Sequence, residues 1–216
     1  MRPRISLVPL IAIILAVFTA AYAQEGPKAR GSMVVASGEN HFIALSFEKD
    51  DKRITDVSFW RLIYTPVGRG HVCYVTSDLT GDGPSNDDMR ALFTDNEALA
   101  DYLNKEIMST FDKSYIAKPF PRHKASFETK GDTLNEYREI IKSDHHTIEL
   151  VWKDFYPAIL LDIPIKPFSL TTMLIPAKVA EVNINGDKAV GRVFPRPEGT
   201  AQGSTGSLAF SETWVK

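Results

Sequence analysis

The sequence predicts a mainly β protein, an antiparallel β-barrel or sandwich with one inserted helical segment at about residues 85–109. Two observations support the β class: apolar and polar residues alternate over many short segments, and most of these segments are separated by short turns. Because parallel neighbours need long connections, short turns favour antiparallel pairing. A third observation places the helix, since one stretch repeats its apolar residues every three or four positions.

The N-terminus predicts a secretory signal peptide over residues 1–23. Arg2 and Arg4 precede a long apolar run, and Ala21-Tyr22-Ala23 supplies the small residues of a cleavage site. The alternative is an uncleaved membrane anchor. The apolar run is at the short limit for spanning a bilayer and contains Pro9. The small-residue site favours cleavage.

Cleavage defines the organisation that we expect for the rest of the chain. Residues 24–32 are polar and carry Gly and Pro, which indicates a flexible lead-in. Residues 33–216 then form a single β-rich domain, because no linker divides them. We expect an exported protein, periplasmic or extracellular. No second apolar run of spanning length follows, so we expect no stable membrane anchor after cleavage.

The first strands of the domain are predicted as a hairpin. His41 to Lys49 and Ile54 to Tyr64 are separated by a polar break, and His71 to Thr76 is a third, shorter strand. Cys73 lies within this third strand. It is the single cysteine of the chain, which excludes an internal disulfide and indicates a buried structural thiol.

The helical segment is predicted in two parts, Ser85 to Phe93 and Thr94 to Met108. Thr94 and Glu97 match a capping box, in which each side chain accepts a hydrogen bond from a free amide of the first turn. A single apolar stripe should dock this helix on a core. The stripe consists of Leu99, Tyr102, Leu103 and Ile107.

After Tyr115 the strand patterns return and continue to the C-terminus. Asn185-Gly186 is the strongest hairpin signal, because both residues tolerate positive φ. A total of about ten strands predicts a lipocalin-like architecture, that is a closed or nearly closed barrel, or else a sandwich. The predicted later strands are Ala125 to Thr129, Thr133 to Lys142, His145 to Trp152, Leu170 to Ile175, Lys178 to Ile184, Ala189 to Phe194 and Leu208 to Val215, with a loop at Pro195 to Ser207.

Composition excludes some function classes. The chain of 216 residues carries 25 Lys plus Arg and 27 Asp plus Glu, a formal net charge of -2. Without a basic excess to neutralise phosphates, we expect no nucleic-acid partner. The signatures of nucleophile elbows, zincins, Walker loops and dinucleotide-binding turns are missing from the sequence.

The loop that follows the third strand resembles the first half of an EF-hand calcium loop. Asp78, Thr80 and Asp82 occupy alternate positions and Gly83 permits a sharp turn. Met89 stands where a bidentate glutamate belongs, so Asp87 or Asp88 would have to substitute from a different register. The alternative is a polar turn with capping side chains. No cofactor is predicted beyond this weak calcium site.

Four side chains are the predicted ligand-binding residues. His146 shares a strand face with Trp152, and Trp60 and Tyr137 lie on other candidate inward faces. The leading hypothesis is therefore an exported barrel that binds a small, largely apolar molecule of unknown identity, with the inserted helix capping the barrel.

Two alternatives remain open. The first is an enzyme on the same scaffold, in which His146 and a carboxylate such as Glu139 or Glu149 perform acid–base chemistry. The second is a cell-envelope interaction module, in which exposed strand edges or proline-rich loops bind a protein partner.

Overall fold

The computed structural model describes residues 33–83 and 88–216. The predicted signal peptide and lead-in, and residues 84–87 of the predicted calcium loop, lie outside the described residues. The structure is a nearly closed barrel whose neighbouring strands pair antiparallel, except for the parallel pair of β4 and β5. Its strands are β1 Val34–Leu45, β2 Thr55–Tyr64, β3 Gly70–Ser77, β4 Met89–Thr94, β5 Arg122–Lys124, β6 Ser126–Gly131, β7 Glu136–Lys142, β8 Thr147–Phe155, β9 Ile159–Ile165, β10 Phe168–Ile184, β11 Asp187–Lys188, β12 Pro195–Glu198, β13 Ala201–Ser204 and β14 Gly206–Val215.

Ten strands form one continuous path in the order β5-β4-β3-β2-β1-β14-β10-β8-β7-β6. The two ends of this path, β5 and β6, are consecutive in the chain and flank Ala125. The backbone N–H of Ala125 also donates to the carbonyl of Thr94, at 2.9 Å. One chain segment therefore pairs with β4 at its start and with β7 at its end, and this segment nearly closes the barrel.

The predicted hairpins are confirmed in most places. β1 pairs antiparallel with β2, and β6 pairs antiparallel with β7. Asn185 and Gly186 form the tight turn between β10 and β11, with φ of 55° and 93°. The two strands predicted at 170–175 and 178–184 are one continuous strand, β10.

Several elements differ from the sequence prediction, and strands β5 and β9 were not predicted. Residues 89–94 form strand β4, where helix was predicted. The return strand predicted at 189–194 is not formed; Asp187 and Lys188 pair with β10 as β11, and Ala189 adds one backbone hydrogen bond to Val182. The predicted loop at 195–207 contains a separate two-stranded hairpin of β12 and β13.

The helical segment runs from Glu97 to Phe111. It contains α1 (Glu97–Leu103), a π-helical turn (Asn104–Met108) and α2 (Ser109–Phe111), and α3 (Ser114–Ala117) follows. Asn96 caps α1, since its side-chain oxygen accepts the N–H of Leu99 at 3.1 Å. The predicted cap, Thr94, instead donates to the carbonyl of His71, at 2.7 Å.

Both faces of the sheet are covered by apolar side chains. The interior cluster fills the barrel, and its largest fully buried members are Phe59, Phe93 and Trp152; Cys73 is buried there too. The outer cluster joins the outer face of the barrel to the helical segment and to β9, and it includes Trp60, Trp214, Leu99, Leu103, Ile107 and Ile163. The helical segment thus packs on the outer wall, whereas the sequence predicted that it caps the barrel.

β8 and β9 pair with the same edge of β10, one after the other. β8 covers β10 from Ala177 to Ile184, and β9 covers it from Phe168 to Leu174. This long ribbon brings the β9 side chains Leu161 and Ile163 onto the outer cluster. In the described residues, no helix is long and apolar enough to cross a membrane.

Candidate functional site

A pocket lies on the outer wall of the barrel, and we call it the outer pocket. β1, β2, β10 and β14 form its floor, β9 and the π-helical turn form its sides, and β12 lies at its edge. It encloses about 50 Å³. Its main apolar lining residues are Phe42, Met108, Leu161, Ile163, Leu170 and Leu174.

Glu212 of β14 is a buried carboxyl group in the lining of this pocket. Burial raises the pKa of Glu212 to about 8, although hydrogen bonds from Trp214 and Asn40 act in the opposite direction. The indole Nε1–H of Trp214 donates to Oε1 of Glu212, at 2.7 Å. An apolar pocket that contains a titratable group with a strongly shifted pKa is typical of a binding or active site.

A directed chain of hydrogen bonds ends on Glu212. The Nε1–H of Trp60 donates to Oγ of Ser58 at 2.8 Å, and the hydroxyl of Ser58 donates to Oδ1 of Asn40 at 3.2 Å. Asn40 then directs its amide N–H toward Glu212 and lowers the pKa of that carboxyl. Asn40, at the end of this chain, and Trp214 both interact with the carboxyl group of Glu212, so they hold it in a fixed orientation.

A β-bulge in β14 turns Glu212 toward the outer pocket. Ser211 and Glu212 together lie opposite a single residue of β10, Thr172. Ser211 has a φ of 52°, in the left-handed region. Because a bulge shifts the alternation of side chains by one residue, Phe210 packs on the interior cluster while Trp214 belongs to the outer cluster.

An ion pair lies at the edge of the outer pocket. Arg196 and Glu198, both on β12, form a close salt bridge. The Nε of Arg196 is buried without a hydrogen-bond partner. Burial lowers the pKa of Arg196 to about 10, and Glu198 acts to raise it. The pair balances its own charge, so Glu212 is the remaining acidic group of the pocket.

A second group of polar side chains lies inside the barrel. Arg61 pairs closely with Glu139, and its Nη1 lies 3.2 Å from Oε2 of Glu39. His41 is fully buried; its Nε2 lies 3.3 Å from the same Glu39 oxygen, and its Nδ1 accepts the N–H of Ala209. Burial raises the pKa of Glu139 to about 7 and lowers the pKa of His41. This group joins β1, β2 and β7 across the interior.

The structure brings together two of the four predicted ligand-binding residues. Tyr137 and Trp152 lie in the interior with their rings 6.3 Å apart, and both pack against His41. Trp60 points to the opposite face and packs against Trp214. Trp60 therefore belongs to the outer wall, where its indole reaches the outer pocket through Ser58.

His146 lies away from the other three residues. Its ring packs against Phe93 and His123, at 5.8 and 5.1 Å. The carboxylates that the enzyme hypothesis pairs with it have other partners: Glu139 binds Arg61, and Glu149 binds Arg138. The acid–base pair predicted from the sequence is not formed by these contacts.

The predicted calcium loop is organised by its own backbone. The carboxylate of Asp78 accepts the N–H groups of Gly81, Asp82 and Gly83, at 2.6 to 3.1 Å. Asp88 accepts those of Leu79 and Thr80. Over residues 33–83 and 88–216, no three His, Cys, Asp or Glu side chains are grouped to hold a metal ion. Calcium binding stays a prediction.

Sequence reasoning did not identify Glu212, Asn40, Arg196 or Glu198 as site residues. A signal for Glu212 exists, because it is the charged member of the apolar series Leu208, Phe210 and Trp214. The bulge that turns it outward depends on pairing with β10 and has no local sequence signature.

Comparison with models of known protein families found no match, and comparison with curated proteins also found none. The function proposed below therefore follows from the geometry of the outer pocket.

Proposed function

We propose that this protein is an exported binding protein for a small, largely apolar molecule, and that the molecule binds in the outer pocket. The observation that carries the proposal is the buried carboxyl of Glu212 in a pocket whose walls are mostly apolar. Ligand sites combine apolar walls with a few polar groups that fix orientation. The hydrogen bonds from Trp214 and Asn40 provide that fixed orientation here.

The site differs from the one that the sequence predicted. Tyr137 and Trp152 lie among the closely packed side chains of the interior cluster, whereas the outer pocket has open space beside Leu161 and Ile163. We therefore assign binding to the outer wall of the barrel. Of the four predicted ligand-binding residues, Trp60 has a part in it, through Ser58.

The experiment is a fluorescence titration with N-phenyl-1-naphthylamine, an apolar probe that is uncharged at neutral pH. Leu161 lines the pocket, so Leu161→Trp should narrow it and reduce probe affinity at least tenfold. Leu160 is the matched control, because it is the adjacent residue on β9 and is 82% exposed. Leu160→Trp should leave the affinity unchanged.

Two results would contradict the proposal. One is that the wild-type protein does not bind the probe. The other is that the Leu160→Trp and Leu161→Trp variants bind it equally well, which would place the bound probe elsewhere on the molecule.

A further inference from the structure

We infer that the natural ligand of the outer pocket is a small hydrophobic amine, which binds as an ammonium ion with its charged group on Glu212. This inference rests on the proposed function and specifies its ligand class.

The partners of Glu212 supply hydrogen bonds but no positive charge. Trp214 and Asn40 donate neutral N–H groups to its carboxyl. Over the described part of the chain, no Lys, Arg or His side chain forms a salt bridge with Glu212. Burying an ionised carboxylate costs free energy unless a positive charge lies close to it. A ligand ammonium group supplies that charge.

The hydrogen-bond chain favours the charged form of the carboxyl over the neutral form. Trp60, Ser58 and Asn40 each donate in the direction of Glu212. Donors stabilise a carboxylate, whereas the O–H of a neutral carboxylic acid needs an acceptor. These donors therefore stabilise Glu212 as a carboxylate once a cation binds beside it.

When Glu212 is ionised, the other charged side chains of the pocket lining do not neutralise it. The titratable lining residues besides Glu212 are Arg196 and Glu198, which pair with each other on β12. The lining residues from β1, β2, β9, β10 and the π-helical turn do not titrate. When Glu212 is ionised, the lining carries a net charge of minus one, so a monovalent cation neutralises it and an anion is repelled.

The volume and the apolar lining of the pocket limit the size and the chemistry of the rest of the ligand. The enclosed space of about 50 Å³ holds only a few non-hydrogen atoms, so a ligand, including the probe N-phenyl-1-naphthylamine, places one end there and the rest outside it. The apolar lining favours a hydrocarbon group next to the amine. The natural ligand should therefore be a primary amine on a short alkyl or small aromatic body, part of which extends beyond the enclosed space.

The inference predicts a distinctive pH dependence. Burial raises the pKa of Glu212 in the empty pocket to about 8, so the group is mostly protonated at pH 6. Binding an ammonium ion then requires Glu212 to release its proton. The affinity for an amine should rise by nearly tenfold per pH unit from pH 6 toward pH 8, with one proton released per amine bound at pH 6.

The experiment is a calorimetric titration of the purified protein with hexylamine and with 1-hexanol, which has nearly the same shape and no charge. The titrations are made at pH 6, 7 and 8 in buffers of different ionisation enthalpy, which count the protons released. We expect hexylamine to bind at least tenfold more tightly than 1-hexanol at pH 8 and to show the rise in affinity between pH 6 and 8.

Variants assign the effect to one carboxyl group. Glu212→Gln keeps the size of the side chain and its capacity to accept hydrogen bonds, and it should remove both the preference for hexylamine and the pH dependence. Glu139→Gln is the control, because Glu139 is also buried with a raised pKa but lies inside the barrel beside Arg61. It should leave both properties unchanged.

The outcomes separate this inference from the proposed function. If N-phenyl-1-naphthylamine binds in the outer pocket but hexylamine binds no better than 1-hexanol, the amine inference is wrong and the proposed function stands. An affinity for hexylamine that does not change between pH 6 and 8, or a Glu212→Gln variant that keeps the preference for hexylamine, would also overturn the inference. If N-phenyl-1-naphthylamine, hexylamine and 1-hexanol all fail to bind, the proposed function is wrong as well.

Discussion

Glu212 is the side chain on which the proposed recognition of a ligand depends. Its carboxyl lies in apolar surroundings with Trp214 and Asn40 as hydrogen-bond donors. Desolvation outweighs these two hydrogen bonds, and the pKa rises to about 8. The salt bridges of the described residues include no cationic partner for Glu212, so we propose that a bound cation favours its ionised form.

The first prediction at this scale concerns stability. A carboxyl whose pKa is about 8 in the folded protein and 4.5 in the unfolded chain binds more protons in the folded state between those values. The free energy of unfolding should therefore fall as the pH rises from about 5 to 8, by on the order of a few kcal/mol from this group.

Urea denaturation of the wild-type protein and of Glu212→Gln at pH 5, 6, 7 and 8 measures this effect. The wild-type protein should lose more stability than the variant over this range, because Gln does not titrate. Parallel pH profiles for the two proteins would show that Glu212 does not titrate in the folded state as described. Glu139→Gln serves as a second reference, because it removes another buried carboxyl group, whose pKa in the wild-type protein is about 7.

Cys73 and Trp60 show what the sequence could and could not predict about single side chains. Cys73 was correctly predicted as a buried thiol, because its neighbours alternate in a clear strand pattern. Trp60 was assigned to the interior, whereas it packs on the outer wall against Trp214. Both faces of β2 are buried, so the sequence pattern does not distinguish the inner from the outer face.

At the scale of secondary structure, the bulge in β14 is the element that creates the site. Without the extra residue at Ser211, Glu212 would follow Phe210 into the interior. Bulges redirect side chains in this way and often lie beside functional sites. The φ of 52° at Ser211 marks the position where the backbone leaves the regular strand conformation.

The second prediction tests this bulge. Ser211→Gly should keep stability within about 1 kcal/mol of the wild-type value, because glycine adopts positive φ without strain. Ser211→Val should destabilise the protein by on the order of 1–3 kcal/mol, since a β-branched residue does not tolerate that conformation. Thermal unfolding together with the N-phenyl-1-naphthylamine titration measures both properties.

The Val variant should also lose affinity for the probe, because strain at Ser211 displaces Glu212 and the adjoining wall. If the Val and Gly variants have the same stability and the same probe affinity, the bulge has no part in forming the pocket.

Strand β4 shows how packing overrides local preference. Its sequence, Met89 to Thr94, is rich in residues that favour helices, and it was predicted as helix. In the structure Met89, Ala91 and Phe93 lie in the interior cluster, whereas Leu92 lies in the outer cluster. The pairing with β3 on one side and β5 on the other decides the conformation.

In the whole molecule, the barrel wall separates the interior cluster from the outer cluster. The interior cluster and the group around Arg61 hold the strands together. The outer cluster, with the helical segment and β9, builds a second layer in which the outer pocket forms. The mainly β class and the antiparallel pairing of most strands could be predicted from alternation and turn length. The second layer could not, because it depends on contacts between segments far apart in the chain.

The third prediction concerns export. If residues 1–23 are a signal peptide, the protein isolated after expression in an exporting bacterial host should begin at Gln24. Intact-mass measurement and N-terminal sequencing of protein from the periplasm or the medium test this expectation. A chain that begins at Met1 and sediments with the membranes would contradict it and favour the uncleaved anchor.

NMR of the three tryptophan indole N–H groups distinguishes ligand binding on the outer wall from binding inside the barrel. Trp214 donates to Glu212 and Trp60 donates to Ser58, both at the outer pocket. Trp152 packs with Tyr137 inside the barrel, and its indole N–H donates to the backbone carbonyl of Phe42, at 3.2 Å. On titration with N-phenyl-1-naphthylamine, we expect the Trp214 and Trp60 resonances to shift more than that of Trp152, which contacts the pocket only through the backbone of Phe42. A shift confined to Trp152 would contradict the claim and place the ligand inside the barrel.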